Sequence, residues 1–161
     1  MPDAAEVPGR RGAIVESILV GTDGSGTAAV AVAQAIELAR ALGARLQIVS
    51  AYEPAPEQGT RTTRVPVASG AEWSVKPRAD VLALLGSAES EGRRAGVAQI
   101  ETFARVGDAA DAILDVAEEQ RSDLIVIGHK GMTGATRFLL GSVPNKVSHH
   151  APCSVLIVRT T

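Results

Sequence analysis

Short apolar runs that alternate with stretches of helical period constrain this chain more than any other feature. "SILVGTD" (17–23) is a continuous apolar run closed by turn residues, which reads as a buried strand. "TAAVAVAQAIELARALG" follows, with Val32, Ile36, Ala39 and Leu42 at helical spacing and Gly43 placed to stop the helix. "ARLQIVSAY" (44–52) is a second strand. Over 78–96 the spacing of Val81, Leu84, Leu85 and Ala88 predicts a helix, weakened by Gly86 and Gly92. Residues 98–106 alternate apolar and polar, as an edge strand does. Ile113, Val116 and Ala117 mark a helix over 108–120. "DLIVIG" (123–128) and "CSVLIV" (153–158) are the last two strands. Between them "SVPNKVSHHA" reads as a short helix with Ser142 as N-cap and Pro144 in its first turn.

Strands that alternate with helices predict an α/β fold: an open, mostly parallel sheet with helices on both faces. Right-handed crossovers leave few topologies. The 161 residues, 45% of them hydrophobic, suit a single domain. Aromatics are only 2%, so its core is made of Ala, Val, Leu and Ile. Residues 1–13 read as a flexible tail, and 14–161 as the domain. The tail has no apolar stretch of the secretory kind, which points to the cytoplasm. The formal net charge of −2 does not suggest a broad nucleic-acid or membrane surface. The single Cys153 excludes an internal disulfide and a cysteine metal cluster, and reads as a small core residue. One connection, 53–77, holds four Pro and two Gly and is long for a compact domain. It reads as a lid, with Arg61, Arg64 and Lys76 reaching a bound anion.

In such a sheet, ligands bind beyond the carboxyl ends of the strands, where the strand order reverses. Two loops compete for that place, "GTDGSG" after the first strand and "GHKGMTGATRFLLGS" after the fourth. The second suits phosphate. Backbone N–H groups near Gly128, Gly131 and Gly141 can point at anionic oxygens, and Gly141-Ser142 opens a helix whose N-terminus favours negative charge. Lys130 and Arg137 can neutralise charge, though residues of this kind are more often solvated. Gly128 and Gly131 serve equally well as turn formers. A carboxylate at Asp23 beside phosphates calls for a metal ion or a ribose hydroxyl; the competing reading is a turn-ordering or capping residue. His149 and His150 close a short helix, where positive charge is favourable, and have no acidic or Cys partner nearby to suggest a metal site. Gly24-x-Gly26-x-x-Ala29, with Glu53 at the end of the second strand, formally matches a dinucleotide fingerprint. Asp23 does not favour a bare pyrophosphate there, and that reading leaves the second glycine loop unexplained. No Walker loop, Ser-His-Asp set or positioned base is evident, so a slow ATPase or phosphotransferase is the secondary reading.

The spacing Gly128-x2-Gly131-x9-Gly141-Ser142 resembles the nucleotide-binding motif of the universal stress protein family. The likeness extends over 14–161 and includes "ILVGTDGS", "DLIVIGHKGMTG" and "LLGSVPNKVSHHAPCSVLIV". It implies a Rossmann-like, adenine nucleotide alpha hydrolase-like sheet of five strands in order 3-2-1-4-5. It also implies a stress-response regulatory protein with an adenine-nucleotide site. Asp23 would lie at the ribose or a Mg ion and Thr22 at the nucleotide, with the backbone around Ser50 and Ala51 facing the adenine. Ile127, Gly128, Lys130, Gly131 and Arg137, then Gly141, Ser142 and Val143, would hold ribose and phosphates. "GHKGMTG" is similar to members that bind ATP with Mg, and "LLGSVPNKVS…VLIVRTT" to members that bind cyclic AMP; AMP is a further alternative. The resemblance implies a homodimer paired through the last strand, here "SVLIVRT".

Overall fold

The computed structural model describes residues 15–54, 76–129 and 140–160. The N-terminal tail, most of the 53–77 connection with Arg61 and Arg64, and Lys130, Gly131, Gly134 and Arg137 lie outside the described residues.

Strand β1 (Ser17–Gly21) is the axis of the molecule, and all five of its residues are buried. It pairs in parallel with β2 (Arg45–Glu53), from Ser17↔Arg45 to Gly21↔Val49. On its other side it pairs in parallel with β5 (Leu124–His129), from Ile18↔Leu124 to Val20↔Val126. Outside β2 lies β4 (Ile100–Val106), and outside β5 lies β6 (Ser154–Arg159), both parallel. The order β4-β2-β1-β5-β6 is the expected 3-2-1-4-5 with the strands renumbered.

Among the described residues the sheet has six strands rather than the five expected. The extra one is β3 (Lys76–Pro77), two residues paired to Tyr52 and Glu53 of β2. Val106 of β4 already flanks Tyr52 on one side. β3 therefore takes the other side, which β1 vacates when it ends at Gly21. The first strand is correspondingly shorter than the sequence suggested, because Thr22 and Asp23 belong to the turn.

Period-two alternation sorts the strand residues into two cores. Ile18, Val20, Leu46, Ile48 and Val126 face one side, under α1 (Gly26–Leu42) and α2 (Arg78–Arg94). Leu19, Val49, Ile125 and Ile127 face the other, under α3 (Ala109–Glu119) and α4 (Ser142–His150). Burial of each such side chain contributes roughly 1.5–3 kcal/mol. The helices reach the sheet through small residues: Ala31, Ala35 and Ala39 on α1, Ala109, Ala112 and Ala117 on α3. Close approach of helix to sheet thus replaces aromatic bulk.

The helix ends follow local chemistry. Ser25 caps α1 by accepting from the Ala28 N–H, and Asp108 caps α3 by accepting from the Asp111 N–H. Gly43, at φ 63°, closes α1 and donates to the carbonyls of Ala39 and Arg40. The start of α4 differs from expectation. Gly141 is its N-cap and Ser142 its first helical residue, so Ser142 is not the cap, and among the described residues no side chain caps this end.

Candidate functional site

Reversal of strand order fixes where a crevice must form. β1 leads into α1 on one face, whereas β5 leads toward α4 on the other. Two chains that leave neighbouring strand ends in opposite directions open a gap at the carboxyl edge. Because β6 runs parallel to β5, α4 must travel back from that edge, so its N-terminus points into the same region.

At the end of β1 the backbone turns sharply. The Thr22 N–H donates to the Val49 carbonyl at 3.0 Å, which keeps Thr22 joined to β2 one residue past the strand. Its hydroxyl accepts from the Gly24 N–H at 3.2 Å. Asp23 is only 7% exposed, and its Oδ1 accepts from the Ser25 N–H at 2.9 Å. Of the two structural readings of Asp23, the turn-ordering one is therefore observed, and Ser25 is the cap. One carboxylate oxygen is committed to that turn. Gly24, at φ 78°, supplies the left-handed conformation that completes it.

The start of α1 and the end of β5 touch. A Cβ at Gly128, near the end of β5, would lie 3.3 Å from the backbone carbonyl oxygen of Thr27 and 3.7 Å from the Ala31 Cβ. Gly128 is thus where the first turn of α1 lies down on β5. Its missing side chain brings the β1–α1 turn and the β5 exit into contact. Thr160 adds a second tie by donating its hydroxyl to the His129 carbonyl.

The other expected site residues among those described fall on the same edge or just beneath it. Ser50 and Ala51 are buried in the carboxyl half of β2, opposite Ala104 and Arg105 of β4. Ile127 is fully buried under α3 and α4, as a wall residue rather than an exposed contact. Gly141 is buried, Ser142 exposed, and Val143 buried in the α3–α4 core. Among the described residues no side chain caps the first N–H groups of α4, which stand at an electropositive end.

Some features gave no sequence signal. His129, the last residue of β5, has its Nδ1 buried without a partner among the described residues. Thr27 matters at this contact through its backbone carbonyl, which faces Gly128. His149 and His150 do close α4, and the His149 Nδ1 lies 2.8 Å from the Asn145 carbonyl. Cys153 is partly buried; that burial, reinforced by the charge of Asp123, raises its thiol pKa, which suits a packing role. Among the described residues no three His, Cys, Asp or Glu side chains gather as a metal site, and no helix is long and apolar enough to cross a membrane. A cavity of about 840 Å³ opens at the opposite, amino edge of the sheet, where Glu16, Arg45, Arg121 and Asp123 line it. Asp123 is engaged there in holding the start of β1, accepting from the N–H groups of Glu16 and Ser17. The glycine turns lie at the other edge, so topology rather than cavity size locates the candidate site.

The family model described as the universal stress protein family matches residues 15–159. The universal stress protein Rv1636 of Mycobacterium tuberculosis is 36% identical over 146 residues, spanning 91% of this chain and 97% of that protein. A universal stress protein solved in complex with cAMP superposes with a TM-score of 0.69 at 33% identity, covering 91% of this chain and 98% of the other. The universal stress protein from Archaeoglobus fulgidus in complex with dAMP gives 0.59 at 28% identity, covering 90% and 98%.

Proposed function

The chain belongs to the universal stress protein family, and from that premise we propose that it is an adenine-nucleotide-binding regulatory protein. The nucleotide sits in the crevice between the carboxyl ends of β1 and β5. The observation that carries this reading is the start of α4. Gly141 is buried there with no side-chain cap among the described residues, on the same edge as the buried carboxylate of Asp23. One end offers N–H groups to phosphate and the other offers oxygen to a ribose hydroxyl or a cation.

In this reading Thr22 and Asp23 meet the ribose or a Mg ion, and the β2 backbone at Ser50 and Ala51 borders the adenine. Lys130, Gly131 and Arg137 join Gly128, Gly141, Ser142 and Val143 around ribose and phosphates, above Ile127. ATP with Mg is the first ligand. Asp23 gives such an ion a single protein carboxylate, and phosphates and water supply the rest of its octahedron. Cyclic AMP is the second reading, favoured by the likeness to the cAMP complex at 33% identity. The protein acts in the cytoplasm as a homodimer paired through β6.

The test is a calorimetric titration with ATP and with cyclic AMP, each with and without Mg. Saturable, Mg-dependent binding of ATP supports the first reading. Metal-independent preference for cyclic AMP replaces it with the second. Absence of a saturable site for either nucleotide overturns both.

A further inference from the structure

We infer that Lys76 is a charge-reading residue of the nucleotide site, one that favours ligands by the number of anionic phosphate oxygens they carry. This rests on the adenine-nucleotide reading above and adds to it a residue from outside the glycine motif. The residue is positioned by β3. Pairing of Lys76 with Tyr52 and of Pro77 with Glu53 returns the chain to the sheet in the place beside β2 that β1 has vacated. Lys76 therefore re-enters directly beyond the end of β1, at the crevice.

Its side chain lies over the turn that holds Thr22 and Asp23. A Cβ at Gly24 would lie 3.0 Å from the Lys76 Nζ and 3.3 Å from each methyl of Leu84. Gly24 lacks a side chain because of its φ of 78°, and the Lys76 ammonium lies beside the space a Cβ would take. The ammonium and the Leu84 methyls thus both border the small space beside Gly24. Lys76 forms no ion pair among the described residues; the carboxylates of Asp108 and Asp111 pair with Lys146 instead, and Glu37, Glu89 and Glu119 pair with arginines. Lys76 is a half-buried residue, and its ammonium carries three donors and no acceptor, a natural partner for phosphate oxygens. It stands at the β1 wall, whereas the N-terminus of α4 serves the β5 wall. A ligand held at both is gripped from two sides. The contribution from Lys76 grows with ligand charge, because Coulomb attraction does.

The experiment compares ATP, AMP, cyclic AMP and adenosine by calorimetry at low salt in the full chain, in Lys76→Gln, in Lys76→Met and in Lys76→Arg. Thermal unfolding of each variant verifies the fold. Either neutral variant is expected to lose about tenfold in ATP affinity, the scale of one charge-assisted contact. The loss is smaller for AMP and cyclic AMP and absent for adenosine. Lys76→Arg keeps most of the ATP affinity. Equal losses for ATP and adenosine, or no loss in a folded neutral variant, overturn the inference while leaving the nucleotide reading intact. Failure of the wild-type protein to bind any of the nucleotides overturns both.

Discussion

Gly128 shows how one residue can carry a meaning its motif does not disclose. In the sequence it suits either a turn or the close approach of a ligand. In the structure the close approach is made by the protein itself, because the Thr27 carbonyl would lie 3.3 Å from a Cβ there. Backbone cannot yield as a flexible side chain does, so added bulk must part α1 from β5. Gly128→Val is expected to destabilise the fold by roughly 1–3 kcal/mol, the range for overpacking a tight contact. Denaturant unfolding without added nucleotide measures this directly. An unchanged midpoint would mean that α1 tolerates the displacement and that ligand approach alone requires this glycine. Asp23 carries a similar lesson. Its Oδ1 orders the turn through the Ser25 N–H, a structural duty that coexists with the ligand role proposed for it.

At the scale of elements, strong periodicity was legible and marginal pairing was not. Val32, Ile36 and Ala39 announced α1, and Gly43 announced its end; both follow from local chemistry. β3 gave no such signal, since two residues have no period and Pro77 argues against a strand. It exists because β2 outruns β1, which only the assembled sheet reveals. The same holds for α4, where a serine before a proline looked like a cap, yet helical geometry begins at Ser142 itself and leaves Gly141 outside. Capping that does use a side chain has a measurable consequence at α3. Burial tends to raise the pKa of Asp108, but hydrogen bonds from the Asp111 and Ala110 N–H groups and the charge of Lys146 outweigh it and hold the carboxyl below its ordinary value. A lowered folded pKa gives stability that is present above the unfolded value, near 3.9, and lost as pH falls through the folded one. Asp108→Ala is therefore expected to cost about 1 kcal/mol at neutral pH, the usual worth of a cap. The gap between variant and wild type should narrow below about pH 4. A gap independent of pH would assign the effect to helix propensity rather than to the ionised cap.

The whole molecule is a sheet covered on two faces and flanked by two edges, and the edges differ in kind. β4 is mostly half-buried and carries the charged residues Glu101 and Arg105, which discourage further pairing. β6 has Val155, Leu156, Ile157 and Val158 in succession, with Leu156 37% exposed. Among the described residues β6 pairs only with β5, so one row of its backbone N–H and C=O groups faces outward. An apolar, β-branched edge of this kind is a template for another strand, and a second copy of the same chain is the partner always present. Leu156→Asp places a charge on that edge while removing little buried surface, so the monomer fold should change by less than about 1 kcal/mol. Sedimentation equilibrium is expected to give a dimer mass for the wild type and a monomer mass for the variant, with similar unfolding midpoints. A variant that stays dimeric would move the interface away from β6. A wild type that sediments as a monomer at micromolar concentration would leave the edge protected by something other than self-pairing. The nucleotide titration is then worth repeating on the monomeric variant, because β6 is tied to the site through Thr160 and His129. If the dimer stiffens that tie, loss of the partner should weaken nucleotide binding without touching a single ligand-facing residue, and equal affinity in monomer and dimer would show that each crevice works alone.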